Sequence, residues 1–150
     1  MTTPLQRQRR KDARPQELLD AALTLFVEKG FAATKAEEVA TLAGVSKGTL
    51  YLYFPSKEEL LKAVIRHTLS ADIAQGRERL LAHQGSATEA LLDLLPEWWE
   101  TVYDSPNSGM FKLVITEVRN FPEIAEFYAR EVVEPGMEVI GQLLQRGVAQ

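Results

Sequence analysis

The sequence predicts an all-α fold, and three observations predict it. Apolar residues recur at three- and four-residue spacings along almost the whole chain, and no segment alternates convincingly with a period of two. Ser or Thr followed three residues later by Glu marks helix starts at three places, Thr34–Glu37, Ser56–Glu59 and Ser86–Glu89. The chain has 150 residues, 45% hydrophobic and 25% charged, enough for one core or two small helical layers.

A first helix carries Leu18, Leu19, Ala22, Leu23, Phe26 and Val27, with Pro15 at its first position and Gly30 as its C-terminal cap. A second opens at Thr34 and turns Ala36, Val39 and Ala40 inward. The turn Ala43-Gly44-Val45 follows, Ser46 caps a short third helix to about Tyr53, and Pro55 stops it. From Ser56 a long fourth helix buries Leu60, Leu61, Val64, Ile65, Leu69 and Ile73. Gly85 breaks the pattern, and Ser86 starts a helix to about Trp99 that Pro96 is expected to kink. After a loop from Asp104 to Gly109, Met110 to Val118 and Ile124 to Val133 read as two helices separated at Phe121-Pro122. Beyond Pro135, one last stripe holds Met137, Ile140, Leu143, Leu144 and Val148.

Composition excludes several classes. With no cysteine there is no disulfide, thiolate zinc site or thiol catalysis. No run approaches the roughly 20 apolar residues of a membrane span. Residues 1–15 are basic and polar with no apolar stretch behind them, so no secretory signal is expected, and a cytoplasmic location is. The net charge of −4 is unevenly spread: residues 1–62 hold ten Lys or Arg and eight Asp or Glu, whereas 63–150 hold seven and thirteen. Arg7, Arg9, Arg10, Lys11 and Arg14 face only Asp12 in the first fourteen residues. A polyanionic partner is therefore allowed at the N-terminal end alone.

The pair of helices around Gly44 has the pattern of a helix-turn-helix. Ala40 suits a tight helix crossing, Gly44 a turn that needs unusual dihedrals, and Val39, Ala43, Val45 and Leu50 a shared core. Lys47, Gly48, Thr49, Tyr51, Leu52 and Tyr53 are left outward, a surface almost free of acid and suited to phosphates and base edges. Three packed helices with no nucleic acid share this geometry, so spacing alone leaves both readings open.

The literal string goes further. Phe31-Ala-Ala-Thr34, Glu38-Val39-Ala40, Ala43-Gly44-Val45-Ser46-Lys47-Gly48-Thr49-Leu50-Tyr51, Tyr53-Phe54 and Ser56-Lys57-Glu58-Glu59-Leu60 together resemble the tetracycline-repressor (TetR) family from Leu18 to about Leu61. The resemblance implies a DNA-binding domain over residues 11–71 and a helical ligand-binding and dimerisation region over 86–150, shorter than the family's usual C-terminal region. It implies Thr34 as a phosphate anchor, Lys47, Gly48, Thr49, Tyr51 and Leu52 as residues facing the major groove, and Tyr53 and Lys57 as backbone contacts. Ser46 reads as a cap and Phe54 as core. The basic N-terminal arm either reaches a neighbouring groove or is a solvated tail.

Trp98, Trp99, Met110, Phe111 and Phe127 are the candidate lining of an effector pocket, with core or dimer-interface packing as the competing reading for each. Trp98 and Trp99 point about 100° apart on a helix, so both cannot face one core. The implied partners are a duplex operator, a small-molecule effector and a second copy of the chain, with no cofactor and no membrane. The implied activity is that of a ligand-responsive repressor. A ligand-independent DNA-binding or architectural protein is the main alternative. Catalysis and metal binding are not expected: His67 and His83 lie sixteen residues apart, and Glu37-Glu38 and Glu58-Glu59 sit in first helical turns where the helix dipole accounts for them.

Overall fold

A computed structural model describes residues 4–105 and 107–149, with side chains from residue 14 onward. Among the described residues the regular structure is entirely helical, as expected, and the chain divides into two compact units, Met1–Val64 and Ile65–Gln150.

The first unit is built from α1 (Pro4–Lys29), α2 (Ala36–Leu42), α3 (Lys47–Tyr53) and α4 (Lys57–Ile65), whose last residue already belongs to the second. Leu18, Ala22, Phe26 and Phe31 are fully buried with Val39, Ala40, Leu50, Leu60, Leu61 and Val64, so the helical periodicities of four segments converge on one core. Phe26 and Phe31 meet with ring centroids 5.6 Å apart at 55°, a tilted arrangement favoured by aromatic quadrupoles. Gly30, at φ +86°, ends α1 by donating its amide to Phe26 O at 2.9 Å, the αL ending that glycine adopts without steric cost. One expectation needs correcting: α1 does not begin at Pro15 but runs through it from Pro4. The basic residues therefore ride on helical backbone rather than a separate arm. The side chains of Arg7, Arg9, Arg10 and Lys11 lie outside the described residues.

The second unit comprises α5 (Ala71–Ala82), α6 (Ala87–Tyr103), α7 (Ser108–Glu117), α8 (Pro122–Tyr128) and α9 (Glu134–Val148). Two π-helical segments, Arg66–Ser70 before α5 and Ala129–Val133 between α8 and α9, pack on each other. Ser70 Oγ donates to Glu131 O at 3.2 Å and Arg66 Nη2 to Glu131 Oε1 at 3.2 Å. No break occurs at Pro135: the π turn runs straight into α9, and Pro135, which has no amide to give the preceding turn, follows a Glu131 carbonyl that accepts from Ser70 Oγ instead. Ser86 and Glu89 form the expected reciprocal cap of α6, at 3.2 and 2.7 Å. α6 continues through Pro96 to Tyr103. Arg146 of α9 donates to Leu80 O, His83 O and Gly85 O, holding the α5–α6 connection against α9.

Candidate nucleic-acid interface

The turn between α2 and α3 forms as its sequence demands. Gly44 stands at φ +70°, Val45 donates its amide to Ala40 O at 2.9 Å, and Gly44 to Thr41 O at 3.1 Å. Ser46 is extended, at φ −75° and ψ 156°, and its Oγ accepts the Thr49 amide at 3.1 Å, so it caps α3. The Thr49 hydroxyl lies 2.9 Å from the same oxygen. With Leu50 anchored in the core, the rest of α3 is turned outward. Lys47, Gly48, Tyr51 and Leu52 are exposed, Leu52 to 85%, and Thr49, Tyr53 and Phe54 are half-buried.

Two of the expected anchors are hydrogen-bonded within the protein. Thr34 is buried, and its hydroxyl donates to Gly30 O at 2.7 Å, with Leu25 O 3.2 Å away. A hydroxyl with one proton, closed inside the α1–α2 junction, has none to offer a phosphate. The Thr34–Glu37 capping box does not form: Lys35 occupies the N-cap without a side-chain cap, and its amide donates to Glu38 Oε2 at 3.0 Å. Lys57 turns back instead of outward. Its Nζ donates to Phe31 O at 2.9 Å, Thr34 O at 3.1 Å and Ala32 O at 3.3 Å, and stands 4.5 Å from the centre of the Phe31 ring. An ammonium has three protons, and three carbonyls of the α1–α2 turn account for all of them. Lys57 ties the start of α4 to that turn, its ammonium directed at backbone carbonyls.

Charge at the interface is also paired in a way spacing did not show. Lys47 Nζ is bonded to Glu37 Oε1, and Lys29 Nζ to Glu38 Oε1. The hydrogen bond from Lys47, and then the amide of its own helix turn, hold the Glu37 carboxyl below the ordinary carboxylate range; the same bond raises Lys47 above the ordinary lysine value. Glu38 is lowered first by Lys29 and then by the Lys35 amide. Sequence reading assigned Glu37 to capping and the helix dipole. Its partner lies ten residues away across the Gly44 turn, a separation without a helical or strand signature.

In the second unit the five pocket candidates separate by burial. Met110 and Phe127 are core residues alongside Leu113, Val114 and Ile124. Phe111 is half-buried, whereas Trp98 and Trp99 are each about half exposed on α6. The Trp99 ring stacks on Tyr103 at 4.1 Å between centroids. The guanidinium carbons of Arg66 and Arg130 stand 4.8 and 6.0 Å from the centre of the Phe127 ring. Among the described residues no group of three or more His, Asp or Glu side chains is placed to hold a metal ion, and no helix is long and apolar enough to cross a membrane.

Comparison with known proteins places this geometry. The family profile of the bacterial regulatory proteins of the tetR family matches residues 18–64, from the core of α1 to the last residue of the first unit. The HTH-type transcriptional regulator YfiR of Bacillus subtilis (strain 168) is 32% identical over 142 residues, covering 93% of this chain and 68% of YfiR. The HTH-type transcriptional repressor KstR2 of Rhodococcus jostii (strain RHA1) is 39% identical over 100 residues, covering 67% of this chain and 48% of KstR2. In three dimensions the chain resembles the TetR family transcriptional regulator PfmR from Thermus thermophilus with a TM-score of 0.71 and 29% identity, over 89% of this chain and 71% of that one.

Proposed function

Because the chain belongs to the tetR family of bacterial regulatory proteins, we propose that it is a transcriptional repressor that binds a palindromic duplex operator as a homodimer in the cytoplasm and answers to a small-molecule effector. The outer face of α3 carries this reading. Lys47, Gly48, Tyr51 and Leu52 are exposed on a helix whose opposite side is locked by Leu50, and α3 itself holds no acidic residue. Such a face fits the major groove: Lys47 toward guanine O6 and N7, Thr49 toward either base edge, and Leu52 against a thymine methyl. Gly48 lets the backbone approach closely, and the Tyr53 hydroxyl would donate to the phosphate backbone. The likeness to a protein named a repressor, KstR2, supports the direction of control.

The test is selection from a randomised duplex library, followed by anisotropy titration at fixed salt. A dimer should select two half-sites about 34–36 Å apart. Thr49→Ala and Leu52→Ala should alter the selected sequence, and Tyr53→Phe should weaken binding to all sequences alike. A wild-type chain with no preference over random duplex at about 0.15 M salt would falsify the reading.

Of the candidates for the effector, Trp98, Trp99 and Phe111 are accessible, whereas Met110 and Phe127 are core. Effector and DNA would each weaken the other's binding by the same factor. A second reading, a ligand-independent regulator, is favoured by the burial of Met110 and Phe127 in packed core. A thermal-shift screen with lipophilic compounds separates the two, since a ligand at 100 times its Kd adds about 2.7 kcal/mol of stability. No shift across the panel favours the second.

A further inference from the structure

The recognition face of the first unit meets DNA with less free charge than its sequence suggests. α3 contains one ionisable cation, Lys47, and its ammonium is bonded to the carboxylate of Glu37 on the first turn of α2. The neighbouring carboxylate, Glu38, is occupied by Lys29 and by the Lys35 amide, and does not compete for Lys47. Tyr51, one turn along α3, has its ring centre 5.8 Å from Lys47 Nζ and flanks the pair. Both side chains of the pair are about half exposed, at 50% and 55%. A pair in that position contributes little to folding. It matters when a polyanion approaches, because a lysine already neutralised by a carboxylate displaces no counterion from a phosphate.

Resting on the reading of this unit as DNA-binding, we propose that Glu37 is a specificity-determining residue: it holds Lys47 in an internal ion pair, so that α3 meets arbitrary phosphate without a free cation and yields Lys47 only to a base edge that outcompetes the carboxylate. Discrimination then comes from a built-in cost against the wrong partner as well as from contacts with the right one. A guanine in a docked site offers Lys47 two acceptors at a fixed position, O6 and N7. The anionic oxygens of phosphates in arbitrary sequence are met at no fixed register and must be stripped of condensed counterions.

The test measures binding to a short random-sequence duplex over a series of salt concentrations, with thermal melts showing that each variant is folded. Glu37→Gln frees Lys47. It should tighten random-duplex binding roughly fivefold near 0.15 M salt and steepen the plot of log K against log salt by about 0.9, the value of one added phosphate contact. Glu37→Asp keeps the carboxylate and should stay near wild type. Glu37→Gln combined with Lys47→Gln should return to wild-type affinity and slope. An unchanged affinity in Glu37→Gln overturns the proposal, as does a gain that survives in the double variant, because Glu37 would then act on phosphate directly. A DNA-free check follows the Glu37 carboxyl by NMR titration: it should titrate below the ordinary carboxylate range and rise in Lys47→Gln, the helix-turn amide keeping part of the lowering. If it does not move, the ion pair is absent and the proposal fails. If the titration behaves as expected but the wild-type chain binds no duplex at low salt, the DNA-binding reading fails, and this inference with it.

Discussion

The two units treat their apolar residues differently. Among the described residues of the first, the large apolar side chains left exposed are Val27, Leu42, Tyr51 and Leu52, and the last two lie on the face proposed to read DNA. In the second, Leu81, Leu91, Leu92, Leu95, Trp98, Trp99, Tyr103, Ile115, Val133, Met137, Ile140, Leu144 and Val148 are all exposed among the described residues, and α9 has no buried residue at all. Every helix of the first unit contributes to a closed core, whereas α6 and α9 each leave an apolar stripe open. A closed unit presents function through a few chosen outward side chains. An open one presents it through surface that still has area to bury.

The largest expected effect tests closure of the first unit. Leu50 is fully buried and fastens α3 to the core. Leu50→Ala should destabilise that unit by about 2–5 kcal/mol, read as a lower midpoint in urea, and should abolish DNA binding near the midpoint. A smaller loss would mean that α3 is held by its caps rather than its core.

Next comes the brace. Lys57→Met removes three hydrogen bonds from a charged donor to the α1–α2 turn and should cost about 2 kcal/mol of stability. DNA affinity should fall while the slope of log K against log salt stays unchanged, because no phosphate contact is lost. A slope shallower by about 0.9 would show Lys57 to be a phosphate contact as well.

The smallest effect on stability falls on the open stripe. Ile140→Lys with Leu144→Lys should change the stability of the isolated chain by no more than about 0.5 kcal/mol per site, since both side chains are more than half exposed. If that stripe is where a second copy docks, sedimentation should show the wild type at twice the 16.8 kDa chain mass and the double variant at one. An unchanged mass would move the proposed dimer contact elsewhere, with the α6 stripe the next surface to test.

How much was legible depended on the reach of each interaction. Ser46 and Ser86 were identified as caps because a cap and its amide are three residues apart. Gly30 and Gly44 were identified because a positive φ is a local demand on one residue. Thr34 misled for the same reason: a Thr with a Glu three residues on fits the local rule, yet its hydroxyl is drawn to Gly30 O and Leu25 O of the preceding helix. Pro15 misled because a proline at a first position and a proline within a longer helix differ only in whether upstream residues are helical. For the proposed effector residues, the pattern picked out large apolar side chains but could not divide Met110 and Phe127, inside the core, from Trp98 and Trp99, at the surface.

By itself, then, the sequence determined the all-α class, the position of the helix-turn-helix, its glycine turn and serine cap, and the family, all carried by contacts within about four residues or by a literal motif. Only the tertiary structure decided that Lys57 braces a turn 23 to 26 residues upstream, that Glu37 reaches Lys47 across the Gly44 turn, and that the α9 stripe stays exposed. The reason is physical. A side chain's type and spacing state which contacts it is able to make, but a long, charged or apolar side chain takes its partner from whatever the fold brings within reach, and that partner has no fixed distance along the chain.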